Sequence, residues 1–297
     1  MTVLEGIQKS AEFLANRGVE TPRLQAELLL AHQLNLPRMK LYLNFERQLS
    51  PAEMDGLRES VRRRGSREPL QHIVGSTSFC GLDLRVTRDV LIPRPETELL
   101  AEAGWTFLNG LAASGSEPPR ALDLGTGSGC IALALAVRCP AARIIASDRS
   151  SAALALSGEN ASRHGLANRI EFLQGDAFEP LAPAGQTRAP GRAWIFDLII
   201  SNPPYIPTAE IATLEPEVRD HDPRPALDGG ADGLDFFRRI SREAPPFLKS
   251  SGRLMLEFGD GQDGALRTLF SNQKWIVEEV RADYTGRPRL LIARLDR

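Results

Sequence analysis

The segment at residues 121–138, ALDLGTGSGCIALALAVR, carries the pattern that decides the fold. Its apolar start predicts a strand, and CIALALAVR predicts a buried helix. Between the two, Gly125, Gly127 and Gly129 alternate with small polar residues. Glycine lets the chain turn tightly and lets a ligand lie against the backbone, because no Cβ intrudes. The helix that follows offers unpaired N–H groups to an anionic group of a ligand.

Strand and helix patterns continue to alternate after this segment. The further predicted strands are ARIIASD, RIEFLQGD, FDLIISNPPY and GRLMLEFG. Apolar strands with little alternation, separated by helices, predict an α/β fold with a doubly wound parallel sheet that is covered on both faces. The tail, KWIVEEVRADYTGRPRLLIARL, predicts an antiparallel hairpin around Gly286 at the edge of the sheet.

The chain before this sheet has a different character. Residues 1–72 predict a small helical bundle, with Thr21-Pro22 and Ser50-Pro51 each placing an N-cap residue before a proline at the first helical position. Residues 73–92 are rich in β-branched and apolar residues punctuated by Gly75 and Gly81, and they predict a β-hairpin linker. The catalytic, ligand-binding domain is therefore expected at 93–297.

Acidic residues end the second and third predicted strands, on the side of the glycine loop. Ligands of open parallel sheets bind at the carboxyl ends of the strands. Asp148 has the position to accept both hydroxyls of an adenosine ribose, although capping of the next helix is the alternative. Asp176 has the position to meet the adenine edge, or to cap a loop, and Phe178 to stack nearby.

The segment Asn202-Pro203-Pro204-Tyr205 follows the fourth predicted strand. It suits a substrate that reacts through a planar nitrogen, which is a poor nucleophile. The Asn202 side-chain oxygen and the Pro203 carbonyl can each accept one N–H, which orients the lone pair and stabilises the charge that develops during attack. Tyr205 offers a flat face to a planar group. The alternative is that these residues merely end a strand.

Composition excludes several classes of protein. The chain has 297 residues and a formal net charge of -2, which disfavours binding of nucleic acid by phosphate neutralisation alone. It has three cysteines without C-x-x-C spacing and four scattered histidines, so neither a disulfide framework nor a metal site is expected. No apolar run approaches the ~20 residues that a membrane span needs. The N-terminal sequence does not resemble a secretory signal, and we expect a cytoplasmic protein.

Taken together, DLGTGSG, Asp148 and NPPYI resemble the class I (Rossmann-like) methyltransferases that modify exocyclic or amide nitrogens. The segment at 68–98, EPLQHIVGSTSFCGLDLRVTRDVLIPRPETE, resembles the linker of the release factor glutamine methyltransferases. The N-terminal helices and the tail are also similar to that family. The resemblance covers essentially the whole chain, and the linker is its most specific part.

The resemblance implies S-adenosylmethionine as the cofactor. The residues that it implies for the cofactor are Gly125, Thr126, Gly127, Ser128, Gly129, Asp148, Asp176, Ala177, Phe178 and Asn202. It implies that Asn202, Pro203, Pro204 and Tyr205 hold the side-chain amide of the glutamine in the Gly-Gly-Gln motif of peptide chain release factors. Ala177 stands where some members carry a large aromatic residue, which leaves the adenine to Phe178.

The resemblance also implies the partners, and two rival hypotheses stay open. The helical bundle is expected to help dock the release factor, and the enzyme is expected to be a monomer without membrane or nucleic-acid partners. The first rival is an amino methyltransferase for adenine or guanine in nucleic acid, since an NPPY segment suits those acceptors equally well. The second is a non-catalytic, methyltransferase-like binding module, which would be expected to have a damaged glycine loop or NPPY segment.

Overall fold

The computed structural model describes residues 1–115, 117–181 and 194–296. The chain divides into two compact units. A helical unit comprises Met1–Ser76 and Leu214–His221, and an α/β unit comprises Thr77–Thr213 and Asp222–Arg297. The sequence also predicts a loop rich in proline, glycine and alanine at 181–193, which lies outside the described residues from position 182 onward.

The helical unit has a core of leucine, isoleucine and valine side chains from several helices. Its helices are α1 (Val3–Ala15), α2 (Pro22–Gln33), α3 (Arg38–Leu41), α4 (Pro51–Gly65) and α5 (Leu70–Val74), together with α9 (Pro216–Arg219) from the second segment. Ser50 caps α4 as predicted, in a reciprocal capping box with Glu53. The predicted Thr21 cap of α2 is wrong in its chemistry. Thr21 has a left-handed φ of 45°, and its side chain makes no capping hydrogen bond.

The α/β unit contains the seven-stranded sheet. Its strands are β3 (Arg120–Leu124), β4 (Arg143–Asp148), β5 (Ile170–Gln174), β6 (Phe196–Ser201), β7 (Leu248–Glu257), β8 (Trp275–Ala282) and β9 (Pro288–Leu295), after a separate hairpin of β1 (Ser76–Phe79) and β2 (Leu82–Arg85). The order across the sheet is β5-β4-β3-β6-β7-β9-β8. Strands β3 to β7 pair in parallel, and β9 pairs antiparallel with β7 and β8. The predicted doubly wound sheet with an antiparallel C-terminal hairpin is confirmed.

Helices cover the sheet. They are α6 (Thr97–Ser114), α7 (Cys130–Arg138), α8 (Ser151–Arg163), α10 (Asp235–Glu243) and α11 (Asp263–Asn272), with 3₁₀ turns at Glu179–Leu181, Thr208–Thr213, Arg224–Ala226 and Pro245–Phe247. Within the described part of the chain, no helix is both long and apolar enough to cross a membrane.

The central strands bury side chains on both faces, which explains why their sequences lack alternation. Leu198 and Ile200 of β6 enter the core on one face, whereas Ile199 enters the core on the other. Full burial of one such side chain contributes about 1.5–3 kcal/mol. Because β3 pairs in parallel with β6, and Asp123 lies opposite Ile200, the glycine loop and the NPPY segment leave the same edge of the sheet.

Candidate active site

A cavity of about 820 Å³ opens at this carboxyl edge, and it is lined by residues that follow β3, β4, β5 and β6. Its size is in the range of cavities that bind small molecules. The predicted site residues that line it are Gly125, Thr126, Gly127, Ser128, Asp148, Asp176, Ala177, Asn202 and Pro204. The predicted residues outside this lining are Gly129, Phe178, Pro203 and Tyr205.

The three glycines of the loop serve two different purposes. Gly125 and Gly127 have φ angles of 75° and 56°, and a Cβ on either would point into open space. Their backbone is therefore exposed for a ligand to approach. Gly129 has a φ of 83°, but a Cβ there would lie 2.7 Å from Leu133 Cδ1 and 2.9 Å from Ser157 Cβ. Gly129 is thus required by the packing of the loop against its own helices.

Asp123 lies beneath the loop and is fully buried. Its Oδ2 atom accepts hydrogen bonds from the Thr126 hydroxyl at 2.7 Å and from the Ala132 backbone N–H at 3.1 Å. Burial raises the pKa of Asp123 to about 7, and these two hydrogen bonds oppose the rise. Asp123 thereby ties the loop to the first turn of α7. This role of Asp123 was not predicted from the sequence, although an acid two residues before Gly125 was a visible signal.

Asp148 ends β4 and forms a hydrogen bond with the glycine loop that follows β3. Its Oδ2 accepts the Gly127 N–H at 2.9 Å, and its Oδ1 accepts the Ser150 N–H at 2.8 Å. Each carboxylate oxygen keeps a further lone pair for a ligand. The helix cap considered as the alternative role belongs to Ser150, whose hydroxyl accepts the Ala153 N–H. The side chain of Asp148 is therefore available to the cavity.

The segment after β5 differs from its expected arrangement. Asp176 lines the cavity, but Arg239 binds both its carboxylate, at 2.7 Å, and its backbone carbonyl, at 3.2 Å. Ala177 also lines the cavity, with a left-handed φ of 49°. The Phe178 ring is 3% exposed and stacks on Phe247 at a centroid distance of 5.4 Å. This placement gives no support to the prediction that Phe178 stacks on a ligand.

Asn202 lies at the end of β6 and lines the cavity. Its Nδ2 atom donates a hydrogen bond to the Thr97 hydroxyl oxygen at 3.1 Å. The preceding residue, Ser201, donates from its hydroxyl to the Leu124 carbonyl at 2.6 Å and so joins the ends of β6 and β3. With Nδ2 engaged, the carboxamide of Asn202 presents its oxygen as the remaining acceptor.

Hydrogen bonds and close packing fix the position of Tyr205 at the end of the NPPY segment. The Gln262 Nε2 donates to the Tyr205 carbonyl at 2.9 Å. A Cβ on Gly229 would fall 2.8 Å from Tyr205 Cα, and one on Gly233 would fall 2.3 Å from Tyr205 O. The Tyr205 hydroxyl lies 3.5 Å from Glu257 Oε1, to which it donates. These contacts leave the backbone of the segment little freedom.

Sequence reasoning missed several residues around the cavity. Arg94 and Thr97, from the segment quoted for the family resemblance, both line it. Arg94 pairs with Asp222 at 2.5 Å, and the Asp222 carboxylate is buried. The IPRPETE sequence was the available signal, but a pair of residues so far apart in the chain cannot be joined from sequence alone.

One cavity is lined by the glycine loop, by Asp148 on the neighbouring strand, and by Asn202 and Pro204 of the NPPY segment. Together with this order of strands, these features define a class I methyltransferase. Two domain families match the chain: the PrmC N-terminal domain at residues 5–75 and the methyltransferase small domain at residues 103–214. The chain belongs to the release factor glutamine methyltransferase family, as the sequence resemblance predicted.

The relatives support this membership over nearly the full length. The release factor glutamine methyltransferase of Geobacter sulfurreducens is 46% identical, over 91% of this chain and 88% of the relative. That of Chlorobaculum tepidum is 42% identical, over 95% and 94%. Among solved structures, the hMettl16 catalytic domain in complex with MAT2A 3'UTR hairpin 6 has a TM-score of 0.52 at 16% identity, over 80% of this chain and 82% of that one. This last likeness concerns the fold alone.

Proposed function

We propose that this enzyme transfers a methyl group from S-adenosylmethionine to the side-chain amide nitrogen of the glutamine in the Gly-Gly-Gln motif of peptide chain release factors. The names of its relatives specify glutamine in release factors. The observation that carries the proposal is that Asn202 lines the same cavity as the glycine loop. An acceptor held by Asn202 would therefore adjoin a cofactor held by the loop.

The residues of the cavity fit this cofactor. Gly125 and Gly127 leave backbone open to a ligand, and Asp148 keeps lone pairs for the two ribose hydroxyls. Ala177 adds a small apolar contact. When bound, S-adenosylmethionine supplies a methyl group on a positively charged sulfur, which reacts without further activation. The product would be S-adenosylhomocysteine.

The acceptor is the difficult partner, because the lone pair of an amide nitrogen is delocalised into its carbonyl. The Asn202 Oδ1 would accept one N–H of the glutamine amide, and the Pro203 carbonyl would accept the other. These acceptors orient the nitrogen and stabilise the positive charge that develops on it. Tyr205 and Pro204 would bound the planar amide. The reaction needs no buried base, because the proton can leave to water after the transfer.

We also propose that the helical unit contributes to docking of the release factor. Met39 is 66% exposed and Leu43 is 77% exposed on this unit. Large apolar side chains that are exposed together mark many interaction surfaces. The enzyme would act as a monomer in the cytoplasm, where its proposed substrate takes part in translation termination.

Mass spectrometry of a purified release factor after incubation with enzyme and S-adenosylmethionine tests the proposal. We expect the peptide that carries Gly-Gly-Gln to gain one methyl group on the glutamine. A release factor with asparagine at that position and the Asn202→Ala enzyme serve as matched controls. Methylation of ribosomal RNA or DNA, with the release factor unmodified, would favour the nucleic-acid enzyme instead.

A further inference from the structure

The carboxamide of Asn202 has two ends of similar shape and opposite hydrogen-bonding character. A half-turn of the side chain would exchange the acceptor Oδ1 for the donor Nδ2. If Nδ2 faced the glutamine amide, its N–H groups would point at the N–H groups of that amide and could not bind them. The proposed function therefore requires something to select one orientation, and Thr97 is the residue that Asn202 contacts through Nδ2.

Thr97 cannot make this selection alone. Its hydroxyl is able either to accept from Nδ2 or to donate to Oδ1. It would be restricted to accepting if its own proton were committed to another group. That group must be a strong acceptor, and it must lie near a residue that is only 2% exposed.

Glu257 at the end of β7 meets both conditions. Its side chain is buried, and its Oε2 makes no hydrogen bond among the described residues, which leaves that oxygen open to a donor. Burial raises the pKa of Glu257 to about 7, whereas the neighbouring Thr97 hydroxyl and the charge of Arg289 oppose this rise. An ionised carboxylate can only accept, so a Thr97 proton directed at it cannot turn toward Asn202.

We propose that Thr97 is a positioning residue, which accepts from Asn202 Nδ2, donates to Glu257, and so fixes the Asn202 oxygen toward the acceptor nitrogen. This inference rests on the proposed function of Asn202. Glu257 also accepts a hydrogen bond from the Tyr205 hydroxyl. One buried carboxylate therefore orients both the first and the last residue of the NPPY segment.

The first test compares Thr97→Val, which keeps the shape and removes the hydroxyl, with Thr97→Ser, which keeps the hydroxyl. At roughly pH 8.5, where Glu257 is mostly ionised, we expect Thr97→Val to lower kcat about 10²-fold, because a misplaced reacting group costs that much. The KM for the release factor and the calorimetric Kd for S-adenosylmethionine should change little. Thr97→Ser should recover most of kcat, and Thr106→Val, an exposed site on the same helix, should be neutral.

The second test is a double-mutant cycle of Thr97→Val with Glu257→Leu, made in a Tyr205→Phe background that already lacks the separate contact between Glu257 and the Tyr205 hydroxyl. If Glu257 acts through Thr97, the double variant should be about as slow as Thr97→Val alone, because two residues of one network do not act independently. Multiplicative losses would overturn the inference. So would a Thr97→Val enzyme with wild-type kcat, or equal losses in the Val and Ser variants. A wild-type enzyme that leaves the release factor unmethylated would instead overturn the proposed function, and this inference with it.

Discussion

The Asp148 carboxylate accepts a hydrogen bond from the backbone N–H of Gly127, at 2.9 Å from Oδ2 to nitrogen. This bond joins the end of β4 to the loop after β3. The backbone N–H groups of Gly125 and Thr126 reinforce the connection, because both donate to the Ser147 carbonyl at 2.9 Å. A loop held in this way is ordered before a ligand arrives. Less entropy is then lost on binding.

Replacing Asp148 by alanine should weaken cofactor binding about 10–100-fold. The variant loses the proposed acceptor for the ribose and the bond to Gly127, and hydrogen bonds to a charged group contribute roughly 1.5–3 kcal/mol. Calorimetric titration with S-adenosylmethionine measures the effect. Asp148→Asn keeps one acceptor oxygen and should lose less affinity. An unchanged Kd in both variants would exclude the ribose role.

Replacing Asn202 by alanine should lower kcat by about 10²–10³-fold, because it removes one preorganised contact to charge that develops during the reaction. Cofactor affinity should remain close to that of the wild type. Single-turnover methylation of a release factor, combined with calorimetry, separates the two quantities. Near-wild-type turnover would show that another residue holds the acceptor.

Gly129→Ala should destabilise the fold by about 2 kcal/mol or more. The new Cβ would meet Leu133 and Ser157 within 3 Å, at a residue with a left-handed φ. Gly158→Ala is a matched control within α8, where a Cβ meets no atom within 4 Å, and it should stabilise by about 0.5–1 kcal/mol. Urea unfolding of both variants measures these changes. Equal stabilities would contradict the packing role of Gly129.

Glu257 should make stability depend on pH. Its pKa is about 7 in the folded protein against an ordinary value of 4.5, so the folded state binds the proton more tightly. Its contribution to stability is full below about pH 4.5 and is lost as the pH rises through 7, by roughly 3 kcal/mol in all. Glu257→Gln cannot ionise and should escape this loss.

Urea unfolding of the wild type and Glu257→Gln across that pH range tests the point. The difference in unfolding free energy should shift in favour of the glutamine variant as the pH rises. The pH dependence due to Asp123 is common to both proteins and cancels. A difference that stays constant with pH would mean that Glu257 does not titrate as described.

The exposed apolar residues of the helical unit provide a further prediction. Changing Met39 and Leu43 to serine should raise the KM for an intact release factor about tenfold or more, because apolar anchors carry much of the energy of an interface. The rate with a short Gly-Gly-Gln peptide should not change. Val137→Ser, at an exposed site of the α/β unit, is the control. Equal effects on protein and peptide would argue against docking through this surface.

Periodicity and spacing were enough to predict the parallel sheet, its antiparallel edge hairpin, the glycine loop and the position of the NPPY segment. These features depend on local pattern, because apolar strands buried on two faces and glycines at a turn leave their mark within a few residues. The roles of Phe178 and Gly129 could not be read in this way. Both follow from neighbours distant in sequence, Phe247 for the one and Ser157 for the other.

The sequence by itself determined the type of fold, the family and the position of the NPPY segment. Tertiary structure alone decided which groups surround that segment: Thr97 beside Asn202, Gln262 on the Tyr205 carbonyl, and the buried Glu257 at the Tyr205 hydroxyl. The physical reason is that hydrogen-bond direction and the pKa of a buried acid depend on the three-dimensional arrangement of donors, charges and water. Residues from β7, α6 and the loop after β7 come together only when the sheet has formed.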